Sequence, residues 1–333
     1  MTAKSRRIVA TLFAAGIALS AAPRTATGQE LPPGFAWQSL PPMQRTTTCD
    51  ANGTGGFAPK AGENHAREGD VSSRAKPDFK TLIAHRGECF AAPENTLPAF
   101  EIAVERGFGF ECDVQLSADG RVFTMHDLNL KRTAGIDLDC AKASWEAVIS
   151  KLDVGHRKGD KWKGTRPALL EEVLPLARDG RYICVELKAG PAIIPYVKQI
   201  IEAQDKANSG NLLFISFFES SLLAVKRELP GYKTILVQTD ISAESAVEKC
   251  RKFGFDGVSV RYDAQRITEE YARTVHDAGL ELHVWTIGRL EDAIAALSRG
   301  VDIVVTNFAK RLKDEFDASN ANAMENVGEG AVK

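Results

Sequence analysis

LIAHRGECFAAPENT, residues 82–96, opens as a short apolar run and empties directly into His85 and Arg86. An apolar run too short for a helix and followed by Gly and Pro breaks reads as a buried strand. Two cationic side chains at its end are expensive there unless the strand feeds a site that uses them. PAFEIAVERG, residues 98–107, follows with helical spacing and a terminal Gly stop. The first unit is therefore strand, loop, helix, with chemistry-bearing residues where the strand ends.

The same alternation recurs along the chain. Strand-like runs are FECDV (110–114), YICVEL (182–187), LLFISF (212–217), TILVQ (234–238), DGVSV (256–260), LELHVW (280–285) and DIVVT (302–306). Between them lie helical patterns, from ALLEEVLPLARDG (168–180) through AIIPYVKQIIEAQ, SSLLAVKRELPG, ESAVEKCRKFG and ITEEYARTVHDAG to LEDAIAALSRG (290–300). With the first unit, eight candidate strands fall within roughly 240 residues, the size of a (β/α)8 TIM barrel, whose strands are covered on both faces and so read as apolar runs. A doubly wound open sheet is the alternative α/β architecture. The barrel is placed at 81–316, and the polar stretch 317–333 is expected to be a disordered tail.

The whole chain has 333 residues, 44% hydrophobic and 26% charged, with a net charge of −2. That balance argues against nucleic acid or an anionic membrane as the main partner, since both demand a basic surface. Residues 1–28 combine a basic start (Lys4, Arg6, Arg7), an apolar stretch from Ile8 to Ala22, and small residues at Ala26 to Gly28. They read as a cleavable signal peptide rather than an anchor, because the run falls short of the ~20 residues a span needs. An exported chain, periplasmic or secreted, with no stable membrane span after cleavage, is expected. Residues 29–80, rich in Pro, Gly and Thr, read as a linker or arm. Of the six cysteines, Cys112 and Cys184 lie within strand patterns and read as buried, whereas Cys49, Cys89, Cys140 and Cys250 are the candidates for bridges.

In FECDV, Glu111 and Asp113 are two residues apart and share one face of their strand; Glu186 and Lys188 repeat the spacing in YICVELK. Buried carboxylates call for a cation. Three of them from neighbouring strands make an all-oxygen site suited to one divalent ion, Mg or Ca, and ill suited to Zn. An ion-pair network of the same residues with Arg86 is the competing interpretation. His126, in VFTMHD after a turn at Ala118 to Gly120, joins His85 as a second histidine expected at the C-terminal rim, where barrel active sites assemble. His65, His156, His276 and His283 read as ordinary surface or core histidines. Paired histidines beside Arg86, Lys188 and the carboxylate trio form a set for phosphoester chemistry: cations hold phosphoryl oxygens and histidines move protons.

Taken in order, His85-Arg86-Gly87, Pro93 to Thr96, Glu111-x-Asp113, His126-Asp127, Glu186-x-Lys188 and Trp285-Thr286 resemble the motifs of the glycerophosphodiester phosphodiesterases, over roughly Leu82 to Ala309. The resemblance implies a TIM barrel with a small insertion after the second strand. It implies a metal held by Glu111, Asp113 and Glu186, phosphate contacts from Arg86 and Lys188, and His85 and His126 as the acid and base pair. Asn95 would shape the first loop beside the substrate pocket, and Trp285 would wall that pocket. The implied reaction is hydrolysis of a small-molecule glycerophosphodiester to glycerol 3-phosphate and an alcohol. Departures occur at Thr306-Asn307-Phe308-Ala309, where the family commonly has Thr-Asp-x-Pro, and at Ile287-Gly288. Two alternatives stand beside this one: a phospholipase of the similar sphingomyelinase D type acting on membrane lipid, and a noncatalytic module that binds phosphodiesters.

Overall fold

The computed structural model describes residues 81–177, 180–204 and 211–330. The expected signal peptide and arm, residues 1–80, lie outside the described residues. Nine strands follow in chain order: β1 (Leu82–Ala84), β2 (Gly109–Leu116), β3 (Val122–Thr124), β4 (Ile183–Leu187), β5 (Leu212–Ser216), β6 (Lys233–Gln238), β7 (Gly257–Arg261), β8 (Glu281–Ile287) and β9 (Ile303–Thr306). Each of the eight apolar runs forms one of the eight parallel strands, and β1 pairs with both β2 and β9, so the sheet closes into a barrel.

The apolar runs exist because both strand faces are buried. Ile83, Cys184, Ile215, Ile235, Val237 and Val305 point inward and fill the barrel. Their neighbours Leu82, Phe110, Val185, Phe214, Leu236 and Val304 point outward under the helices. The surrounding helices are α1 (Leu97–Glu105), α3 (Leu170–Val173), α4 (Ile194–Ala203), α5 (Glu219–Glu228), α6 (Ala243–Phe253), α7 (Glu269–His276), α8 (Leu290–Ser298) and α9 (Ala309–Gly330), with α2 (Lys131–Ala134) in the insertion. The pattern of residues 168–180 yields only one α-turn. Pro175 cannot continue the ladder, and the chain passes into a 3-10 turn at Leu174–Leu176.

After β2 the chain reverses at Ala118 to Gly120 and returns as β3, antiparallel to β2. Asp119 secures the reversal, accepting from Ser117 Oγ, Ser144 Oγ and the Trp145 amide. The insertion that follows has its own small core, in which Phe123, Leu130, Trp145, Ile149 and Leu169 are buried together.

Two expectations need correction. Instead of entering a disordered tail at Asp317, α9 continues to Gly330. Proline is absent from this segment, and Lys310–Asp314, Arg311–Glu315 and Lys313–Asp317 pair along it at i,i+4. Cys140 and Cys250 are not bridged: both are free and buried, with their thiols donating to the Asp127 and Gly257 carbonyls. Cys112 and Cys184 are free and buried, and Cys89 is disulfide-bonded. Among the described residues no helix is long and apolar enough to cross a membrane.

Candidate active site

β1 delivers His85 and Arg86 to the C-terminal rim, where the loop to α1 has an unusual backbone. Arg86 has φ 58° and Asn95 φ 56°, values uncommon outside glycine. Both are held by hydrogen bonds: the Arg86 amide donates to Glu111 Oε2 at 2.9 Å, and the Asn95 amide to the Arg86 carbonyl at 3.0 Å. Gly87, at φ 75°, is required twice over, since a Cβ there would stand 2.7 Å from the Ala99 carbonyl carbon. The His85 ring places Nδ1 2.6 Å from Asn307 Oδ1, just past the end of β9. With that oxygen as acceptor, Nδ1 carries the proton, leaving Nε2 as the free lone pair, 3.9 Å from Glu111 Oε2. Burial, then the Arg86 charge, push the imidazole pKa down to about 3.

The pairing of β2 with β4 sets Asp113 directly opposite Glu186. Glu111, Asp113 and Glu186 are buried, and one carboxylate oxygen from each lies within 4.8 Å of the other two. Lys188 Nζ lies 2.6 Å from Glu186 Oε1 and 3.1 Å from Asp113 Oδ1, while Arg86 Nε is 3.4 Å from Asp113 Oδ2. Asn95 spends both halves of its amide on Asp113, donating to Oδ2 at 2.7 Å and accepting from the Asp113 amide at 3.0 Å. Burial favours the neutral form of Asp113, but Lys188, His126 and Arg86 outweigh it and hold the carboxyl far below its ordinary range. Glu111 goes the other way, pushed well up by burial, Asp113 and Glu186. Its Oε1 is buried with no hydrogen-bond partner among the described residues. Three carboxylates, two cations and one orphaned oxygen converging on a point fit a divalent cation by charge and by ligand type.

His126 arrives from the insertion. Its Nδ1 is 2.7 Å from Asp127 Oδ1. Asp127, held far below its ordinary range against its own burial by His126 and Arg132, is ionised and can only accept, so His126 too donates from Nδ1. Arg132 on α2 grips Asp127 and Glu94 together, and Glu94 in turn holds Arg86 Nη1 at 2.9 Å. One cavity has His85, Glu111, His126, Glu186, Lys188 and Trp285 among its walls.

The structure thus brings His85, Arg86, Glu111, Asp113, His126, Glu186, Lys188 and Trp285 to one end of the barrel. Asn95, expected beside the substrate pocket, instead lies behind Asp113 and lines a smaller neighbouring cavity with Glu94 and Thr133. Arg86 is nearly fully buried against Glu94 and Asp113. Among the described histidines left as ordinary, His156 and His276 are exposed and His283 pairs with Glu281. Sequence reasoning missed the contacts of Asn307, Asp127 and Arg132. Only the adjacency of Asp127 to His126 hinted at one of them.

Comparison with known proteins agrees with this geometry. Residues 85–311 match the model of the Glycerophosphoryl diester phosphodiesterase family. The chain is 33% identical over 234 residues to a glycerophosphodiester phosphodiesterase of Caldanaerobacter subterraneus subsp. tengcongensis, covering 69% of this chain and 95% of that one. A Bacillus subtilis glycerophosphodiester phosphodiesterase is 27% identical over 252 residues, 70% of this chain and 85% of its own. Among solved structures, a phosphodiesterase of Oleispira antarctica in complex with the product sn-glycerol-3-phosphate superposes with TM-score 0.64 at 25% identity, over 71% of this chain and 96% of that one. A Thermotoga maritima glycerophosphodiester phosphodiesterase gives 0.55 at 27% identity, over 69% and 95%. Neither the membrane-lipid alternative nor the noncatalytic binding module gains support from these relatives, which are described as phosphodiesterases of glycerophosphodiesters. A closed barrel with paired histidines and a carboxylate trio at its rim, matched by the family model over residues 85–311, belongs to the glycerophosphoryl diester phosphodiesterase family and is a phosphoric diester hydrolase.

Proposed function

We propose that the chain hydrolyses glycerophosphodiesters such as glycerophosphocholine to glycerol 3-phosphate and an alcohol, with one divalent cation, Mg or Ca, held by Glu111, Asp113 and Glu186. The observation that carries this reading is that His85 and His126 border one cavity together with Glu111 and Glu186 of the carboxylate trio. Such a cation supplies Lewis-acid polarisation of phosphoryl oxygens and lowers the pKa of a nearby hydroxyl.

The chain's own residues do the rest. Lys188 and Arg86 supply positive charge for the phosphoryl oxygens. One histidine, neutral, takes the proton of the attacking hydroxyl on Nε2, while the other enters the cycle as the imidazolium and gives its Nε2 proton to the leaving alkoxide. Asn307 and Asp127 hold the two rings by Nδ1, so that the proton work is confined to Nε2. Trp285, with Phe217 packed edge-on to it at 5.8 Å, walls the glycerol moiety.

The basic and then apolar start of the chain supports export, periplasmic or secreted, with the mature protein beginning at about Gln29; N-terminal sequencing of the exported protein tests it. The function itself is tested by release of glycerol 3-phosphate from glycerophosphocholine in EDTA, then with Mg or Ca restored. Loss and recovery of release are expected. No release from a panel of glycerophosphodiesters with either ion would overturn the assignment.

A further inference from the structure

We propose that Arg132 is a positioning residue for His126: its guanidinium fixes the Asp127 carboxylate that orients the imidazole, and locks it to the loop that holds Arg86. The inference rests on the phosphodiesterase reading above and adds a residue to it. Arg132 Nε donates to Asp127 Oδ2 at 2.6 Å and Nη2 to Asp127 Oδ1 at 3.2 Å. The other edge of the same plane meets Glu94, with Nη1 to Oε2 at 3.0 Å and Nη2 to Oε1 at 2.6 Å. Glu94 Oε1 is shared with Arg86 Nη1, 2.9 Å away. Asp127 Oδ1 is shared with His126 Nδ1 at 2.7 Å.

A continuous chain of charged contacts therefore runs from the His126 ring through Asp127, Arg132 and Glu94 to Arg86, and Arg132 is its only member on α2. An exposed ion pair would position nothing, because it is screened and loosely held. This one is different on two counts. Glu94 is only 11% exposed and Arg132 29%, and the guanidinium is bidentate to both carboxylates, which fixes its plane as well as its charge. The Arg132 backbone is anchored too, since its carbonyl accepts from Arg157 Nη1.

Without the guanidinium, two ionised carboxylates would face each other with no cation between them, and Asp127 would be free to rotate its oxygen away from Nδ1. His126 would then sample both tautomers and lose its aim. Arg86 keeps its own bonds to Glu94 and Asp113, so the pull on a phosphate changes little. The damage should appear in turnover rather than in substrate affinity.

The test uses the mature chain from Gln29, with Arg132→Ala, Arg132→Lys, Asp127→Asn and the Arg132→Ala/Asp127→Asn double variant. Arg132→Ala should lower kcat on glycerophosphocholine about 30-fold or more, with KM within about threefold. Arg132→Lys, able to grip one carboxylate but not both, should fall between. The double variant should be no slower than the slower single one, because both act through the same ring. In 15N-histidine spectra taken without substrate, His126 should pass from one Nδ1–H tautomer to a mixture in Arg132→Ala. A folded variant with unchanged tautomer, or with kcat within threefold of the parent, overturns the proposal. So do losses that multiply in the double variant. If Arg132→Ala does not fold, Arg132→Lys carries the same readouts. A parent protein that turns over no glycerophosphodiester counts against the assigned reaction, while the tautomer spectrum, which needs no substrate, still decides the role of Arg132.

Discussion

Asp113 and Glu186 stand directly across from each other on β2 and β4, and Lys188 Nζ reaches both, at 3.1 Å and 2.6 Å. Lys188→Met removes the cation and leaves two buried carboxylates facing each other. Breaking such a pair costs about 3–5 kcal/mol. Thermal unfolding in EDTA should show a Tm lower by roughly 10 °C, as expected for a domain of this size. Added Mg or Ca should restore part of that loss but little of the activity.

Glu111→Gln should do the opposite in the metal-free protein. The carboxyl is pushed up by burial and by its two acidic neighbours, so its charge works against folding at neutral pH. The amide keeps an acceptor for the Arg86 backbone and sheds the repulsion. Stability in EDTA should rise by about 1–2 kcal/mol. The Tm gain that the parent shows on adding Mg or Ca should vanish, and kcat should fall roughly a hundredfold or more.

Glu94 carries a stability signature with a definite sign. Burial alone would raise its carboxyl, yet Arg86 and Arg132 bring it down to about 2, from an ordinary 4.5. A depressed folded value means stability that is fully present above pH 4.5 and is lost as pH falls from there towards 2. At about 1.4 kcal/mol per unit the contribution is about 3 kcal/mol at neutral pH. Urea unfolding of Glu94→Gln should therefore trail the parent by that amount at pH 7, with the gap closing by about pH 2.

Asn307→Leu removes the acceptor for His85 Nδ1 without touching the carboxylates. The expected result is a loss of roughly tenfold to hundredfold in kcat with Tm close to the parent. Asn307→Asp, which keeps an acceptor oxygen in place, should retain much more activity than Asn307→Leu. Steady-state kinetics on glycerophosphocholine separate the two.

The barrel was legible because strands buried on both faces cannot hide their composition: TLIAH and DIVVT read as strands before their pairing was known. The carboxylate trio was legible through period-two spacing, which sends Glu111 and Asp113 to one face. What could not be read depends on closure. His85 and Asn307 are 222 residues apart and meet only because β1 lies beside β9. Glu94 and Arg132 are 38 apart, joined by an insertion whose path no local pattern dictates. The continuation of α9 was missed because its polar composition masked an unbroken run without proline.

The insertion's separate core has a kinetic consequence. Phe123, Trp145 and Leu169 cluster away from the barrel's main core, so the segment presenting His126 is able to open as a cooperative unit of its own. Its seam with the barrel is polar, including Thr124 Oγ1 donating to the Asn95 carbonyl, the Met125 amide donating to the Asp113 carbonyl and Arg132 donating to Glu94. Amide hydrogen exchange should find residues 125–169 opening at lower free energy than β4 to β9, and heat should extinguish turnover before it melts the barrel. With that order of opening, the working lifetime of the enzyme would be set by the persistence of a seam and not by the stability of the fold.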